Sequence, residues 1–514
     1  MNKKLCCFFV LCVVSAFTLH ARPFGNNYDV RKFGARGDGK HLDSPAINKA
    51  IAKAAAAGGG TVLFPAGTYL CGSIHLRSNI HLQIDAGATI LGAPQRMKAY
   101  DAEEYFAGPA YQDGGHTYFH NSLIWGENLT NVFITGNGMI NGGGLVANDG
   151  IENIMDHSVD NERADLTFTS STNWPQHLGN KSIALKLCRN VLIRDITIYH
   201  GGHFCILATG CDNLTVDNVT LDTDRDGMDI DCCRNTMISN CRVNSPHDDG
   251  ICLKSTYALG RLALTENLTI VNCQVSGFRE GTLIDGTMVP TGRGTGRIKF
   301  GTESSGGYRN CTVANCTFRD CHGLALEEVD GGIMDEIAIN NITMINPIDY
   351  AIYITTGKRD RTPNLTTTSC ARNILISNVI AEGVSSRSGI QIFGLPELPV
   401  EGIRLDNIRL ICDGGGTAAD AARVPKELGA GYPEPARLGV MPAYGVYVRD
   451  ARDLELANIT TSFETNDLRS AMICTNVTNL EIDNFKPQVA SGVTPARFED
   501  VSGLVIRNSP GISQ

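Results

Sequence analysis

Two tryptophans in 514 residues, no cluster of lysine and arginine, no Cys-x-x-Cys pair and no apolar run of membrane-spanning length mark what this chain goes without. Lacking a basic stripe and carrying a net charge of −10, it has little to neutralise a phosphate backbone, so nucleic acid is not an expected partner. The longest apolar stretch, Leu5 to Leu19, falls short of the ~20 residues a spanning helix needs. Eighteen cysteines suggest a disulfide framework only until they are placed. Cys6, Cys7 and Cys12 lie before residue 21, and the remaining 15 are an odd number without paired spacing. Cys241, Cys273 and Cys316 share one repeat position, where a small thiol stacks inside a core. Buried free thiols are therefore expected, with a few bridges, Cys311 to a neighbour first among them, as the alternative. Sulfur-bound metal is not expected, nor is any metal motif or cofactor evident.

Lys3-Lys4, the apolar stretch behind it and Ala21 read as an export signal over residues 1–21, although Leu19 sits where a small residue is usual. Cys12 follows Val10-Leu11 rather than a small residue, so no lipid anchor is expected. Residues 22–514 are expected to form one domain, exported to a periplasm or beyond as a soluble monomer.

From about residue 190 a short pattern recurs: apolar, polar, apolar, any residue, asparagine. It reads Leu214-Thr-Val216-Asp-Asn218, Leu268-Thr-Ile270-Val-Asn272, Ile337-Ala-Ile339-Asn-Asn341, Ile403-Arg-Leu405-Asp-Asn407 and Leu480-Glu-Ile482-Asp-Asn484, with looser copies ending at Asn240, Asn315, Asn378 and Asn458. Alternation of period two marks half-buried strands, and recurrence every 22 to 26 residues, lengthened by insertions, marks a solenoid. The asparagine ends each strand in this reading, and its amide bonds to its own copies above and below. The fold is expected to be all-β, a parallel β-helix with long loop insertions. Asp43-Ser44-Pro45 opens a helix whose Ile47, Ala50, Ile51 and Ala54 share a face and whose end is Gly58-Gly59-Gly60; it would cap the solenoid. Residues 96–175 bring Tyr100, Tyr105, Phe106, Tyr111, Tyr118, Phe119, Trp125 and Trp174, for stacking on sugar rings or for packing. The Gly414 to Pro435 stretch reads as an insertion.

Two acid clusters stand one repeat apart. They are Asp224-Arg225-Asp226-Gly-Met-Asp229-Ile-Asp231 and Pro246-His247-Asp248-Asp249-Gly250, with 22 residues from Asp226 to Asp248. Coils stacked at ~4.8 Å bring Asp226, Asp248 and Asp249 within side-chain reach. Carboxylates so placed divide into a protonated and an ionised partner, which suits general acid and base work. A turn aspartate that bonds its own backbone is the plainer reading for any one of them, but it does not require the coincidence of three on neighbouring coils. Asp229 and Asp231 are read as structural or as supports of the site.

These clusters resemble the family 28 glycoside hydrolases, the polygalacturonase family, whose signature is Asn-Thr-Asp-Gly-Ile-Asp followed one coil later by Gly-Asp-Asp and Lys-Ser. Here Asp224 holds the Asn position, Arg225 the Thr position, and Lys254-Ser255 the Lys-Ser position. Tyr28 to Lys40 and Gly59 to Tyr69 resemble the wider superfamily, which includes pectate lyases and tailspikes. The resemblance implies a right-handed helix and inverting hydrolysis of galacturonic-acid-containing pectic polysaccharides or oligosaccharides. It also implies that Asp248 is the general acid and that Asp226 and Asp249 activate water. Spacing alone does not separate inverting from retaining geometry.

Two departures bear on the sugar. The family's Gly-His-Gly is replaced by Thr295-Gly-Arg297-Ile-Lys299-Phe before Gly301-Thr-Glu303, and its later Arg-Ile-Lys by Ala325-Leu-Glu327-Glu-Val-Asp330. Arg297 and Lys299, alternate residues on one strand, are candidates to bind a uronate carboxylate, with a solvated surface pair as the alternative. Lys254 lines the groove or bridges an aspartate. Glu303, Glu327 and Asp330 are candidates for sugar hydroxyls. His203, one coil below Asp226, is a candidate to supply the missing histidine's hydrogen bond or else an ordinary loop histidine, and His247 to tune Asp248. Loops 96–175 and 278–296 are placed to close one groove end, which favours exo action. The rival readings are a polysaccharide lyase on the same scaffold and a non-catalytic sugar-binding solenoid.

Overall fold

The computed structural model describes residues 27–104, 114–146 and 178–512. The proposed export signal, Tyr105, Phe106, Tyr111 and Trp174 lie outside them. The period-two segments form strands, and every pairing between consecutive coils is parallel, so that Phe204 pairs with Asp226, Leu214 with Thr236 and Leu221 with Val243 one turn on. A typical coil holds three strands, as in Phe204–Thr209, Asp212–Asp217 and Thr220–Asp222. Inward positions stack into one column, with Ile206, Met228, Ile251 and Ile298 all buried on successive coils. Each such side chain contributes roughly 1.5–3 kcal/mol by leaving water.

The recurring asparagines have a geometric cause. Asn218, Asn240, Asn272, Asn315, Asn341, Asn378, Asn407, Asn458 and Asn484 all have φ between 52° and 58°, a left-handed bend that asparagine tolerates better than most residues. Their amides form the expected ladder, with Asn272 Nδ2 donating to Asn240 at 3.3 Å, Asn341 to Asn315 at 3.0 Å and Asn407 to Asn378 at 2.7 Å. The ladder departs from self-pairing at Asn218, Asn240 and Asn458, whose amides reach Asp195 at 2.8 Å, Asp217 at 2.8 Å and Asp406 at 2.9 Å. The expectation that asparagine ends a strand holds in the lower coils and again at Asn484, which follows the strand Ser470–Asp483. Between them a single strand such as Tyr308–Arg319 runs through Asn315, because the strand pairing continues across the bend. A second ladder, Asn190 on Asn131 and Asn310 on Asn267, escaped the sequence reading.

Helix α1 (Ser44–Ala56) buries Ile47, Ala50, Ile51 and Ala54 over the first coils. Asp43 does not cap it with its side chain; the carboxylate instead accepts from the amides of Arg36 at 2.8 Å and Gly37 at 3.0 Å. All 15 cysteines of the described residues are free, Cys311 included, and Cys241, Cys273 and Cys316 are buried. Among the described residues no helix is long and apolar enough to cross a membrane.

Candidate active site

One face of the solenoid is built by β1 (Phe204–Thr209), β2 (Asp226–Asp231), β3 (Ile251–Ser255), β4 (Ile298–Ser304), β5 (His322–Glu328) and β6 (Ile348–Thr356). Because inward positions are apolar, the residues between them point out of the helix: Asp229, Cys252, Lys299 and Ala325 form one column, and Asp231 and Lys254 part of the next. Asp226 opens β2, and Asp248 and Asp249 stand in the turn before β3. Two glycines allow that turn to pack closely against the coils below and above, since a Cβ on Gly227 would lie 2.3 Å from the Gly250 carbonyl oxygen and one on Gly250 2.7 Å from that of Gly296.

The three acids converge. One carboxylate oxygen from each of Asp226, Asp248 and Asp249 lies within 4.8 Å of the others. Their surroundings differ. Asp249 is buried and accepts from Arg297 Nε at 2.6 Å while Lys299 Nζ lies 3.3 Å away. Burial pushes its carboxyl up, but Arg297, Lys299 and Lys254 outweigh that and hold it well below the usual range. Asp226 is as deeply buried and, among the described residues, has no cation in contact and no hydrogen-bond partner for its Oδ1. Burial first, then Asp229, Asp248 and Asp249, push its carboxyl well up against the pull of Lys254. Asp248 keeps 27% of its side chain exposed and pairs with Arg225 Nη2 at 2.9 Å. The three oxygens are close enough to share a cation, but Arg225, Arg297 and Lys299 already supply positive charge there.

Around this trio lies a lattice of buried charge. Arg297 also donates to Tyr350 and, through both terminal nitrogens, to Glu434 at 3.3 and 3.1 Å. Lys299 lies 3.4 Å from Glu327, which accepts from Thr302 at 2.9 Å. Lys254 donates to Glu303 at 2.9 Å and stands 3.9 Å from Asp229. Arg359 joins Glu303 at 3.2 Å to Asp330, to which it donates twice. Burial opposes the charge on Glu303, yet Lys254 and Arg359 hold its carboxyl well below the usual range.

Arg297 and Lys299 are therefore not the solvated pair offered as their alternative; both are buried and both face Asp249. Lys254, Glu303, Glu327 and Asp330 are buried beside them, each already engaged by side chains of the chain itself. His203 is buried with its amide on the Asn180 carbonyl and its ring against Phe204. His247 Nδ1 lies 2.6 Å from Asp224, not on Asp248. Asp231 is structural, bonded to Thr209 and to the amide and hydroxyl of Thr256, while Asp229 meets buried His116 at 2.9 Å. Of the loop aromatics, Tyr100 and Phe119 are buried in packing and Trp125 stacks on His120.

The sequence reading missed Arg359, Tyr432 and Glu434. The last two lie on the 414–435 insertion, Tyr432 with its hydroxyl 3.0 Å from Thr302 and its ring 5.7 Å from Lys299. No local pattern ties an insertion to a strand over a hundred residues away. An open polar groove lined by Arg293, His322, Asn346, Asp349 and Arg387 adjoins the lattice, His322 standing 3.5 Å from Arg297.

Residues 28–252 match the family described as rhamnogalacturonase A/epimerase, pectate lyase-like, and residues 181–370 the right-handed β-helix region. A Vitis vinifera protein named probable polygalacturonase is 27% identical over 420 residues, which is 76% of this chain and 75% of that one. The structure of a Yersinia enterocolitica family 28 exopolygalacturonase aligns with a TM-score of 0.63 at 18% identity, covering 93% of this chain and 78% of that. That of a hyperthermoactive exopolygalacturonase from Thermotoga maritima aligns with a TM-score of 0.59 at 21% identity, covering 75% and 87%. At such identities the two structural likenesses speak for the fold.

Proposed function

We propose that the chain is a family 28 polygalacturonase-like glycoside hydrolase that cleaves galacturonic-acid-containing pectic chains with inversion, acting from a chain end as an exported, monomeric, single-domain enzyme. The observation that carries the acid and base chemistry is the convergence of Asp226, Asp248 and Asp249 within 4.8 Å on one outward face; inversion rests on the family resemblance and not on this spacing. Asp248, the most exposed of the three, hands a proton to the leaving glycosidic oxygen as that bond to the anomeric carbon breaks. One water held between Asp226 and Asp249 attacks the opposite side of the carbon, since a single water reaches two acceptors at ~2.8 Å each. Asp249 takes the water's proton. Its charge is maintained for this by Arg297 and Lys299. The 414–435 insertion, resting through Tyr432 and Glu434 on the lattice, supports a cleft narrowed on one side and hence end-on attack.

A lyase needs a basic side chain at liberty to take the proton at C5. Lys254, Arg297 and Lys299 are each bound to carboxylates, which favours hydrolysis. Incubation with homogalacturonan, rhamnogalacturonan and branched pectic oligosaccharides, followed by proton resonance spectra of the first products, tests the reading. Saturated products of inverted anomeric configuration are expected. Retained configuration, an ultraviolet-absorbing unsaturated uronide, or binding without turnover across all three substrates would overturn it.

A further inference from the structure

The polar groove beside the lattice has a volume of about 540 Å³, and no step of the hydrolysis proposed above uses the groups that line it. Its place follows from the coil. Asp248 and Asp249 stand in the turn before β3, His322 opens β5, Asp349 follows Ile348 at the start of β6, and Arg387 stands in the turn before the next strand of that face, β7 (Ile390–Phe393). Each of these strands pairs with its neighbour on the next coil, so the groove continues the edge that carries the acids, in steps of ~4.8 Å. A sugar chain that leaves the acids along the solenoid axis on this side runs into it.

The charges of the groove decide what it can hold. Among the described residues two arginines line it, Arg293 and Arg387, against three aspartates, Asp320, Asp349 and Asp413. His322 adds no positive charge at neutral pH, because burial and then Arg297 push its ring below the usual range against the pull of Glu434 and Asp349. Arg387 Nε holds Asp349 at 2.9 Å and Asn346 Nδ2 donates to Asp320 at 2.9 Å, while Arg293 and Asp413 are exposed. A uronate entering here would add its charge to walls in which carboxylates already outnumber guanidiniums. A neutral sugar adds none, and its hydroxyls both donate to the aspartates and accept from the arginines. Gly383 leaves room for it, since a Cβ there would lie 2.5 Å from Asn346 Oδ1.

We propose that this groove is a subsite for a neutral sugar, binding the pectic chain beyond the bond that is cleaved, and that it directs the enzyme to chains in which galacturonate is joined to neutral sugars. The inference rests on the hydrolase reading and narrows its substrate. It agrees with the lattice beside the groove, where Arg297 and Lys299, the cations a uronate would seek, are already paired with Asp249, Glu434 and Glu327.

The test is steady-state hydrolysis, at low ionic strength, of homogalacturonan oligomers against rhamnogalacturonan and neutral-branched pectic oligomers of equal length. The wild type, Arg293→Ala and Asp413→Lys are compared, with thermal melts as the control for folding; both positions are exposed. The wild type is expected to favour the mixed oligomers by about tenfold or more in kcat/KM. Arg293→Ala should raise KM for them about fivefold or more, the loss of a hydrogen bond from a charged donor. Asp413→Lys gives the cations the majority and should shift the preference toward homogalacturonan about threefold or more, which a merely structural role would not produce. A wild type that turns over none of these substrates sinks the hydrolase reading itself. A wild type that works but favours homogalacturonan, or folded variants with unchanged KM and preference, sink only the role of the groove.

Discussion

Replacing Asp226 by asparagine should stabilise the protein at neutral pH while abolishing its activity. Asp226 is buried, and one of its oxygens lies within 4.8 Å of oxygens of both Asp248 and Asp249. At that separation two like charges repel by about 3.5 kcal/mol at an effective dielectric constant of about 20, and by about 1 kcal/mol in bulk water. Cations on the neighbouring acids cancel part of this, which leaves an expected gain of about 1–3 kcal/mol for an isosteric neutral side chain. The sign with pH follows from the raised carboxyl: folded Asp226 holds its proton more tightly than the unfolded chain does. Its contribution to stability is therefore fully present below the unfolded value of about 3.9 and is lost as pH rises through the folded one. The advantage of Asp226→Asn should be absent near about pH 4 and grow toward neutrality. Asp249→Asn should do the reverse, costing about 3–5 kcal/mol at neutral pH by removing the carboxylate that Arg297 and Lys299 share and leaving them Glu434 and Glu327 alone, because its depressed carboxyl stabilises above the unfolded value and loses that as pH falls. Urea-unfolding midpoints across this pH range read both. A loss of more than about 1 kcal/mol for Asp226→Asn at neutral pH, or an advantage that shrinks as pH rises, would refute the reasoning.

Asp248→Asn should lower kcat by about two to four orders of magnitude on pectic oligomers with binding preserved by calorimetry; unchanged turnover removes it as proton donor. Arg359→Met should cost about 3–5 kcal/mol in urea unfolding, because buried Asp330 loses its cation and buried Glu303 is left with Lys254 alone. A cost below about 1 kcal/mol would mean those acids find protons or water at little expense. In the ladder, Asn341→Ala should cost about 1–2 kcal/mol and Asn341→Gly less, since its φ of 56° strains alanine but not glycine. Equal costs would assign the asparagine's value to its hydrogen bonds alone.

The solenoid and the acid trio could be read in advance because each is periodic. Asn218 to Asn484 repeat a backbone need, a left-handed bend on every coil, and a need repeated nine times leaves a mark that loop insertions do not erase. Asp226 and Asp248 stand one coil apart in sequence and so become neighbours as soon as coils stack. The same logic placed Cys241, Cys273 and Cys316 in the core and α1 over its end. Where strands run on, as through Asn315, the pattern gave the register but not the boundary, because a bend and a break leave the same asparagine behind.

The chemistry of the charges was not legible, and the reason is physical. A sequence shows that Arg297, Lys299, Glu303, Glu327 and Asp330 are charged, but whether they meet sugar or one another depends on burial, which rests on residues far away. Glu434, on an insertion 137 residues beyond Arg297, occupies two of its nitrogens, and Arg359 ties Glu303 to Asp330 from yet another loop. Once such groups are closed off from water, each unpaired charge costs several kcal/mol, so the acids and bases are driven to match locally rather than to wait for substrate. That matching also divides the labour at the centre: the acid given two cations is kept ionised, the acid given none is pushed toward its neutral form, and the one left at the surface shares its cation with the solvent side. The groups that meet the sugar are then to be sought where solvent reaches, at Asp248, rather than in the saturated lattice beneath it.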